Sequence, residues 1–309
     1  MFSIIFPGQG SQIVGMAKEF YENYDSVKKF FENADEILNK SLSKLILEGP
    51  KDILDQTENT QPAIFLVSYS IFKVLEKEFN FDLNKASFFA GHSLGEYSAL
   101  CCADSLDFEQ TISLLKYRGI AMQNAIPRGQ GAMIATLGID INEIRIMLKE
   151  IENKHKCYIA NDNSIGQVVL SGKTDSIEFF SNLLKDKKIK FVKLPVSAPF
   201  HCPLMNKATI EMKQKILATK FNKPKIDIVS NVTANPINSP EVIKKLLIEQ
   251  IEQPVRWRES VTNMLNSGIS KFIEIGPGKV LSGLIKRIDR NVKLNQVNNI
   301  TDIKNLTND

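Results

Sequence analysis

One stretch, FFAGHSLGEYSAL at residues 88–100, limits the possible folds of this chain more than any other. An apolar run ends in Gly91-x-Ser93-x-Gly95, and a helix-like pattern follows it. A serine at a sharp turn from a buried strand into a helix is typical of the nucleophile elbow. Both glycines suit that turn, since a side chain at either position would clash with the neighbouring strand or helix. The alternative is an ordinary serine in a glycine-rich loop.

A serine nucleophile needs a base, and histidine is the usual one because its pKa lies near neutrality. The chain has three histidines. His155 lies in the charged stretch ENKHKC, and the His92 side chain should diverge from that of Ser93, which suits a structural or substrate-lining role. His201 lies in PVSAPFHCPLM, a loop that prolines make rigid, and is the best candidate for the base. The alternatives are a loop histidine bonded to the backbone, and Cys202 as a rival nucleophile.

Arg118 is the third candidate functional residue. On the helix predicted from residue 107, Leu114 and Met122 lie one turn away from it on an apolar face. An unpaired guanidinium on such a face is costly, so Arg118 should have an anionic partner. That partner is either an internal Asp or Glu or a substrate carboxylate, which arginine binds through two parallel hydrogen bonds. The remaining alternative is a side chain that reaches out to the edge of the face.

Composition narrows the class of protein. The 309 residues are 43% hydrophobic, which supports one large domain or two unequal ones. The net charge of +4 is too small for a nucleic-acid-binding arm but suits an acidic partner. The N terminus lacks the features of a signal peptide and no apolar run reaches 18 residues, so we expect no membrane span. The four cysteines show no metal-ligand spacing, so we expect a reduced, cytoplasmic protein without metal or other cofactor.

The order of elements predicts an α/β fold in two parts. Residues 129–198 show the pattern βαββαβ, which is typical of a ferredoxin-like unit. Strand and helix patterns alternate on both sides of this segment. We therefore predict a larger part formed by residues 1–128 and 199–309, with the smaller part at 129–198 inserted into it. The polar residues 295–309 are expected to be frayed.

Six motifs occur in an order that resembles a known family. They are PGQGSQ, GHSLGEYSAL, YRGIAMQNAIPRGQGAM, NSIGQVVLSG, APFHCPLM and EIGPGKVLSGL. From about residue 3 to residue 290, the chain resembles the malonyl-CoA:acyl carrier protein transacylases of bacterial-type fatty acid synthesis. Each motif alone is moderately specific, whereas the six in order are highly specific. The resemblance implies an α/β-hydrolase-like larger subdomain with an inserted ferredoxin-like smaller subdomain, which agrees with the break placed at 129–198.

The resemblance also implies the roles of the reacting groups. Ser93 takes the malonyl group, and His201 is the base. Arg118 holds the malonyl carboxylate. In this family a backbone carbonyl orients the histidine in place of an acidic residue, and Gln250 in EQIEQPVRW is the similar position here.

Further roles follow from the same resemblance. The backbone N–H groups of Gln9 and Leu94 form the oxyanion hole, and His92, Asn161 and Phe200 belong to the substrate site. The implied partners are malonyl-CoA and holo acyl carrier protein, without nucleic acid or membrane. The implied oligomeric state is a monomer.

The residue before the histidine, Phe200, is bulky, whereas many relatives carry a small residue at this position. In this respect the sequence resembles the malonyl-selective acyltransferase domains of multienzyme synthases. Phe200 would crowd the branched methyl group of a methylmalonyl substrate. Malonyl preference is a hypothesis at this point, because one methyl group contributes only about 1–3 kcal/mol of discrimination.

Two other functions share parts of this pattern. A serine hydrolase would use the same serine and histidine but would normally need an acidic third member between them in sequence. The acidic candidates, none of them in a telling sequence context, are Asp104, Asp140, Asp162 and Asp175. A hydrolase also has no need of Arg118 on an apolar face. A non-catalytic acyl- or carrier-binding protein would have no need to keep the serine, the histidine and the arginine together.

Overall fold

The structure, a computed structural model, describes residues 1–196 and 198–307. The strands are β1 (Phe2–Phe6), β2 (Phe88–Gly91), β3 (Gly131–Leu137), β4 (Cys157–Ser164), β5 (Gln167–Lys173), β6 (Lys190–Lys193), β7 (Ile228–Val229), β8 (Pro236–Ile237), β9 (Lys271–Ile275) and β10 (Lys293–Val297). The α helices are α1 (Lys18–Asn23), α2 (Asp25–Leu38), α3 (Leu42–Glu48), α4 (Lys51–Leu54), α5 (Thr57–Lys77), α6 (Gly95–Cys102), α7 (Phe108–Gln123), α8 (Ile141–Ile151), α9 (Thr174–Asp186), α10 (Asn206–Ala218), α11 (Pro240–Glu249), α12 (Trp257–Asn266), α13 (Val280–Ile288) and α14 (Ile300–Thr307). Short 3-10 helices lie at Leu83–Lys85 and Pro203–Met205.

The larger sheet has six strands in the order β10-β9-β1-β2-β7-β8. Its neighbouring strands are parallel, apart from the antiparallel pair of β7 and β8. The loops that follow parallel strands gather at one edge of a sheet, where open α/β folds form their binding sites. β1 ends at Phe6 and β2 ends at Gly91, and the His92 N–H donates to the Phe6 carbonyl at 3.1 Å. The turn PGQG and the turn at the serine therefore meet at this edge.

The central strand β1 is buried on both faces. Ile4 and Phe6 lie in the main core, together with residues of helices α5, α6 and α7. Ile5 points to the opposite face, where it packs in a second core with Trp257 and Phe272. Alternate residues of a strand point to opposite faces, so a strand covered on both sides is an apolar run rather than an alternating one. This burial explains the sequence FSIIF and anchors the two turns.

The smaller sheet has four antiparallel strands in the order β4-β5-β3-β6. Its elements follow one another as β3-α8-β4-β5-α9-β6, which agrees with the ferredoxin-like pattern. Ile134 and Leu170 pack in a separate core with residues of α8 and α9. Met133, Ala135 and Val169, on the other face, belong to the main core. The smaller sheet therefore turns one of its faces towards the larger part of the molecule.

Strand β4 is joined to the larger part by the segment before α12. The Val255 N–H donates to the Ala160 carbonyl at 2.9 Å, and the Val255 carbonyl accepts from the Asp162 N–H at 2.9 Å. The buried Asp162 carboxylate accepts three hydrogen bonds from Arg258, at 2.7, 3.0 and 3.1 Å. These bonds hold β4 in place relative to the larger sheet.

The mixed α/β class predicted from the sequence is confirmed, while the bounds of its two parts stay a prediction. The expectation of a frayed C-terminal segment is wrong over residues 295–307, and residues 308–309 lie outside the described part. β10 pairs with β9, and α14 buries Ile303 and Leu306 in the main core. In α14 the apolar residues Ile300, Ile303 and Leu306 recur every three positions and so share one helical face. In the described residues, no helix is long and apolar enough to cross a membrane.

Candidate active site

The turn at Ser93 has the strained backbone of a nucleophile elbow. Ser93 lies between β2 and α6 with a φ of 54°, a left-handed conformation that is uncommon for a residue with a side chain. A Cβ atom on Gly91 would lie 1.9 Å from the carbonyl carbon of Gly95. One on Gly95 would lie 2.3 Å from the carbonyl oxygen of Phe6. The predicted strand, turn and helix are confirmed here, and the close approach of the backbones explains both glycines.

Ser93 and His201 form a hydrogen-bonded pair. The distance from Ser93 Oγ to His201 Nε2 is 2.9 Å, and that from His201 Nδ1 to the carbonyl oxygen of Gln250 is 2.8 Å. A carbonyl oxygen can only accept, so Nδ1 carries the proton and Nε2 accepts from the serine hydroxyl. A base with a fixed tautomer and a serine within reach is what proton abstraction requires.

The environment keeps His201 neutral. Its side chain is 4% exposed, and burial, followed by the positive charge of Arg118, lowers its pKa to about 3. The hydrogen bond to Gln250 opposes this shift without reversing it. At neutral pH the imidazole is therefore deprotonated and able to accept a proton.

Within the described part of the chain, no carboxylate hydrogen-bonds to His201, whose Nδ1 is taken up by the Gln250 carbonyl. The four aspartates that could have completed a hydrolase triad have other partners. Asp104 pairs with Lys225, Asp162 pairs with Arg258, and Asp140 and Asp175 accept from backbone N–H groups near the starts of α8 and α9. The acidic third member typical of a serine hydrolase is thus not assembled from these candidates.

Arg118 is buried on α7, as the sequence predicts, with 1% of its surface exposed. Nη1 donates to Gln61 Oε1 at 2.8 Å, and Nη2 donates to Gln250 Oε1 at 2.9 Å and to Ser93 Oγ at 3.1 Å. Among the described residues, no carboxylate oxygen lies within 4.0 Å of this guanidinium, and Nε is buried without a partner. The anionic partner expected from the sequence is therefore not an internal Asp or Glu. A buried cation with neutral partners and spare donors is well suited to receive an anion.

Polar side chains behind the elbow fix its backbone. Asn231 accepts from the Ser93 N–H at 2.7 Å and donates from Nδ2 to the Gly91 carbonyl at 2.7 Å. Gln250 Nε2 donates to the Ser93 carbonyl at 3.1 Å and to Glu96 Oε2 at 2.7 Å. Burial raises the pKa of Glu96 to about 7, although its hydrogen bonds and Arg118 favour the charged form.

Sequence reasoning missed three of these residues: Gln61, Glu96 and Asn231. The only local signal is at Glu96, the one charged side chain in the otherwise apolar α6. Gln61 and Asn231 act on partners 57 and 138 positions away in the sequence. No pattern in a single sequence reveals such pairs.

Two backbone N–H groups beside the serine are unpaired. Gln9 and Leu94 line the same cavity as Ser93, and neither backbone N–H donates a hydrogen bond to any described residue. The turn that carries Gln9 lies against the elbow, since a Cβ atom on Gly8 would lie 2.6 Å from the His92 carbonyl oxygen. Unpaired donors at a helix N-terminus and an adjacent turn are the groups from which an oxyanion hole is built.

These residues surround a cavity of about 210 Å³. His92 Nε2 lies 2.8 Å from Asn163 Oδ1 and 3.3 Å from Asn161 Nδ2, and burial lowers the pKa of His92. The smaller sheet contributes Met133 and Val169 to the wall. Every residue that the sequence assigns to the site lines this cavity, apart from Gln250, which contacts three residues that do: Ser93, Arg118 and His201.

A larger, open groove of about 1010 Å³ adjoins the cavity and shares Gln9, Leu194 and Val196 with it. Three cations line the groove and, in the described residues, form no ion pair: Arg128, Lys193 and Lys207. Of the three carboxylates that also line it, Asp55 and Glu58 are paired with lysines and Asp52 forms no ion pair with the described residues. The unpaired cations of the groove therefore outnumber its unpaired anions, which suits an anionic molecule.

The chain is similar to known proteins over almost its whole length. Residues 3–304 match the acyl transferase domain family. A malonyl CoA-acyl carrier protein transacylase of Bacillus subtilis (strain 168) is 42% identical over 293 residues, which are 94% of this chain and 91% of that protein. The crystal structure of an acyl-carrier-protein-S-malonyltransferase from Bartonella henselae matches with a TM-score of 0.96 at 39% identity, covering 99% of this chain and 98% of the other. A structure of a type II PKS acyl-carrier protein in complex with its malonyl-transacylase matches with a TM-score of 0.95 at 36% identity, covering 99% of both chains.

Proposed function

The chain belongs to the acyl transferase domain family, and from that premise we propose that it transfers a malonyl group from malonyl-CoA to the phosphopantetheine thiol of acyl carrier protein. The transfer has two halves joined by a malonyl-serine ester, and it supplies malonyl units for fatty acid chain elongation. The relatives described above carry the names of malonyl transacylases, and the cavity holds the groups that such a transfer needs. The cytoplasmic location and the monomeric state expected from the sequence stay predictions.

In the first half, Ser93 Oγ attacks the thioester carbonyl of malonyl-CoA while His201 Nε2 takes the hydroxyl proton. The Gln250 carbonyl holds the Nδ1–H group, so the imidazolium forms in the right orientation. The N–H groups of Gln9 and Leu94 stabilise the negative charge on the carbonyl oxygen. The C–S bond then breaks, His201 returns the proton to the departing sulfur, and a malonyl ester remains on the serine.

In the second half, the thiol of the carrier protein replaces coenzyme A. His201 takes the thiol proton, and the sulfur attacks the ester carbonyl. The same two N–H groups stabilise the second tetrahedral intermediate. When the C–O bond breaks, His201 returns the proton to Ser93 Oγ, and the malonyl thioester leaves on the carrier.

Arg118 selects an acyl group that ends in a carboxylate. Its Nη2 lies 3.1 Å from Ser93 Oγ, so an anion bound to the guanidinium would lie beside the carbon that the serine attacks. In a malonyl group only one methylene separates the carboxylate from that carbon. An acetyl group has no carboxylate to bind the guanidinium, so the buried charge gains no counter-ion from it.

The adjoining groove takes the rest of each thioester. A cavity of about 210 Å³ has room for the acyl end, while the phosphopantetheine arm and the nucleotide of coenzyme A need a longer channel. The groove continues from the cavity at Leu194 and Val196, and its unpaired cations suit phosphate groups. The phosphopantetheine of the carrier protein would use the same route.

The observation that carries this proposal is the position of Arg118. A serine hydrolase that acts on neutral esters gains nothing from a buried, uncompensated cation in contact with its nucleophile. A binding protein without catalysis gains nothing from a histidine held in the tautomer that a base requires.

Product analysis tests the proposal. We would incubate the protein with malonyl-CoA and holo acyl carrier protein and separate the products, with Ser93→Ala as the control. We expect malonyl carrier protein from the parent and none from the variant. Free malonate as the main product would indicate a hydrolase, and binding without either product would indicate a binding protein.

A further inference from the structure

Glu96 is the one carboxylate in the polar network behind the elbow, as far as the chain is described. It lies in the first turn of α6 with 1% of its surface exposed. Oε2 accepts from Gln250 Nε2 at 2.7 Å and from the Asn231 backbone N–H at 3.1 Å. Neither half of the proposed transfer uses this carboxylate. Burial of an ionisable group costs stability, so the presence of a carboxyl group here needs a physical explanation.

The contacts of Gln250 provide that explanation. A side-chain amide can take two orientations that exchange its nitrogen and its oxygen. Nε2 faces the carboxylate of Glu96 as well as the Ser93 carbonyl, while Oε1 faces Arg118 Nη2 at 2.9 Å. In the reversed orientation, Oε1 would face the carboxylate and Nε2 would face the guanidinium, so both contacts would become repulsive. Of the acceptors around Gln250 Nε2, Glu96 Oε2 lies at the shortest distance and therefore contributes most to the observed orientation.

The orientation of this amide determines the position of the arginine. Gln250 Oε1 is one of two side-chain amide oxygens that accept from Arg118, and it binds the same Nη2 that contacts Ser93. The bond to His201 uses the backbone carbonyl of Gln250 instead, which does not depend on the orientation of the side-chain amide. A change at Glu96 should therefore act on the arginine more than on the base.

We propose that Glu96 is a positioning residue for acyl selectivity: it fixes the amide of Gln250 and so holds Arg118 where a carboxylate-bearing acyl group is recognised. This inference rests on the proposed function of Arg118. It gives a role to a buried carboxyl group that has no direct part in either half of the proposed transfer.

The test compares two substitutions of Glu96, of which only one keeps a side-chain oxygen that can accept a hydrogen bond. Glu96→Met has a similar length but accepts no comparable hydrogen bond, whereas Glu96→Gln keeps an oxygen that can accept from Gln250 Nε2. Glu274→Gln is the matched control, because Glu274 is also buried and accepts two backbone N–H bonds, at 2.8 and 3.0 Å, from residues outside the Glu96–Gln250 network. For each folded protein, intact-protein mass spectrometry gives the rates at which malonyl-CoA and acetyl-CoA acylate the serine.

We expect Glu96→Met to lower the ratio of malonyl to acetyl loading roughly tenfold, the scale of effect of losing one buried hydrogen bond. Glu96→Gln should keep the ratio within about threefold of the parent, and Glu274→Gln should leave it unchanged. An equal loss with both substrates in Glu96→Met would make the residue merely structural and overturn the proposal. A ratio as low in Glu96→Gln as in Glu96→Met would attribute the effect to charge and overturn it too.

A second variant covers the case in which Glu96→Met does not fold. Gln250→Met removes the donor of the hydrogen bond between Gln250 and Glu96 and keeps the backbone carbonyl that holds His201. It should lower the malonyl to acetyl ratio as well, and an unchanged ratio would contradict the proposal. A parent protein that loads no malonyl group would instead contradict the proposed function, whatever the variants do.

Discussion

Two arginines, the buried Arg118 at the cavity beside Ser93 and the partly exposed Arg258 at the junction of the two sheets, have opposite surroundings. Arg258 donates three hydrogen bonds to the carboxylate of Asp162. Arg118 donates to the neutral side chains of Gln61, Gln250 and Ser93. The hydrogen bond to Asp162 raises the pKa of Arg258, whereas burial lowers the pKa of Arg118.

The fold provides the anionic partner of Arg258, whereas we infer that a bound ligand provides that of Arg118. At the junction, removal of the arginine leaves a buried carboxylate unpaired, which destabilises the folded state. At the cavity, removal of the arginine takes away a cation that no carboxylate among the described residues pairs with. We therefore expect arginine to serve stability in the first region and substrate recognition in the second.

The largest expected effect is on Arg118→Ala. The rate of malonyl transfer to the serine should fall roughly a thousandfold, the scale of loss when one partner of a buried, hydrogen-bonded charge pair is removed. Acetyl transfer should survive, because the acetyl group makes no contact that depends on the guanidinium. Acylation rates with both acyl-CoA substrates measure the difference. Equal losses with both would remove Arg118 from substrate recognition and break the comparison.

Arg258→Ala should affect stability instead. We expect the free energy of unfolding to fall by about 2–4 kcal/mol, because Asp162 would keep a buried charge while the partly exposed arginine limits the loss. Denaturant titration measures the change. In the folded fraction, the ratio of malonyl to acetyl loading should equal that of the parent. A changed ratio with unchanged stability would mean that the roles of the two arginines are not distinct.

The pH dependence of acetyl loading provides a third comparison. A histidine with a pKa near 6.5 would be about 3% neutral at pH 5, so loading would fall roughly thirtyfold from its value at pH 8. With the pKa of His201 lowered to about 3, the base stays deprotonated and loading should change little over this range. Because Arg118 contributes to the lowering, Arg118→Ala should move the acid limb towards neutral pH, whereas Arg258→Ala should not.

A thirtyfold fall in the parent protein, with the fold intact by circular dichroism, would contradict the environment assigned to His201. An acid limb that stays in place in Arg118→Ala would show that burial alone sets the pKa.

The smallest expected effect concerns shape rather than charge. Phe200 lines the cavity next to the base, and Phe200→Ala should raise methylmalonyl loading relative to malonyl loading roughly tenfold. Discrimination against acetyl should persist, because Arg118 is unchanged. A competition assay with malonyl-CoA and methylmalonyl-CoA measures the first effect. If the parent already loads both at the same rate, Phe200 does not select against the branched substrate.

What could be predicted from the sequence is what depends on neighbours along the chain. The elbow is predictable because the backbone packs too closely on either side of the serine for any side chain at Gly91 or Gly95. The burial of Arg118 follows from helical periodicity. The C-terminal segment shows the limit of composition, since spaced residues such as Ile303 and Leu306 secure α14 in a stretch that is polar on average.

What could not be predicted depends on partners far apart in the sequence. Asn231 binds the backbone of the elbow across 138 and 140 positions, and Glu96 binds Gln250 across 154. Each is a single polar residue without a repeating pattern. The lack of a carboxylate partner for Arg118 among the described residues also required the structure, because a periodicity argument shows that a partner is needed but not whether the fold provides it.

The most direct test of the account is intact-protein mass spectrometry after a brief incubation with malonyl-CoA, beside Ser93→Ala. We expect a malonyl adduct on the parent protein only, which holo acyl carrier protein discharges. An adduct that water alone discharges as fast would indicate a hydrolase. No adduct from malonyl-CoA or from any other acyl-CoA would contradict the assignment of Ser93 as the acyl-accepting nucleophile.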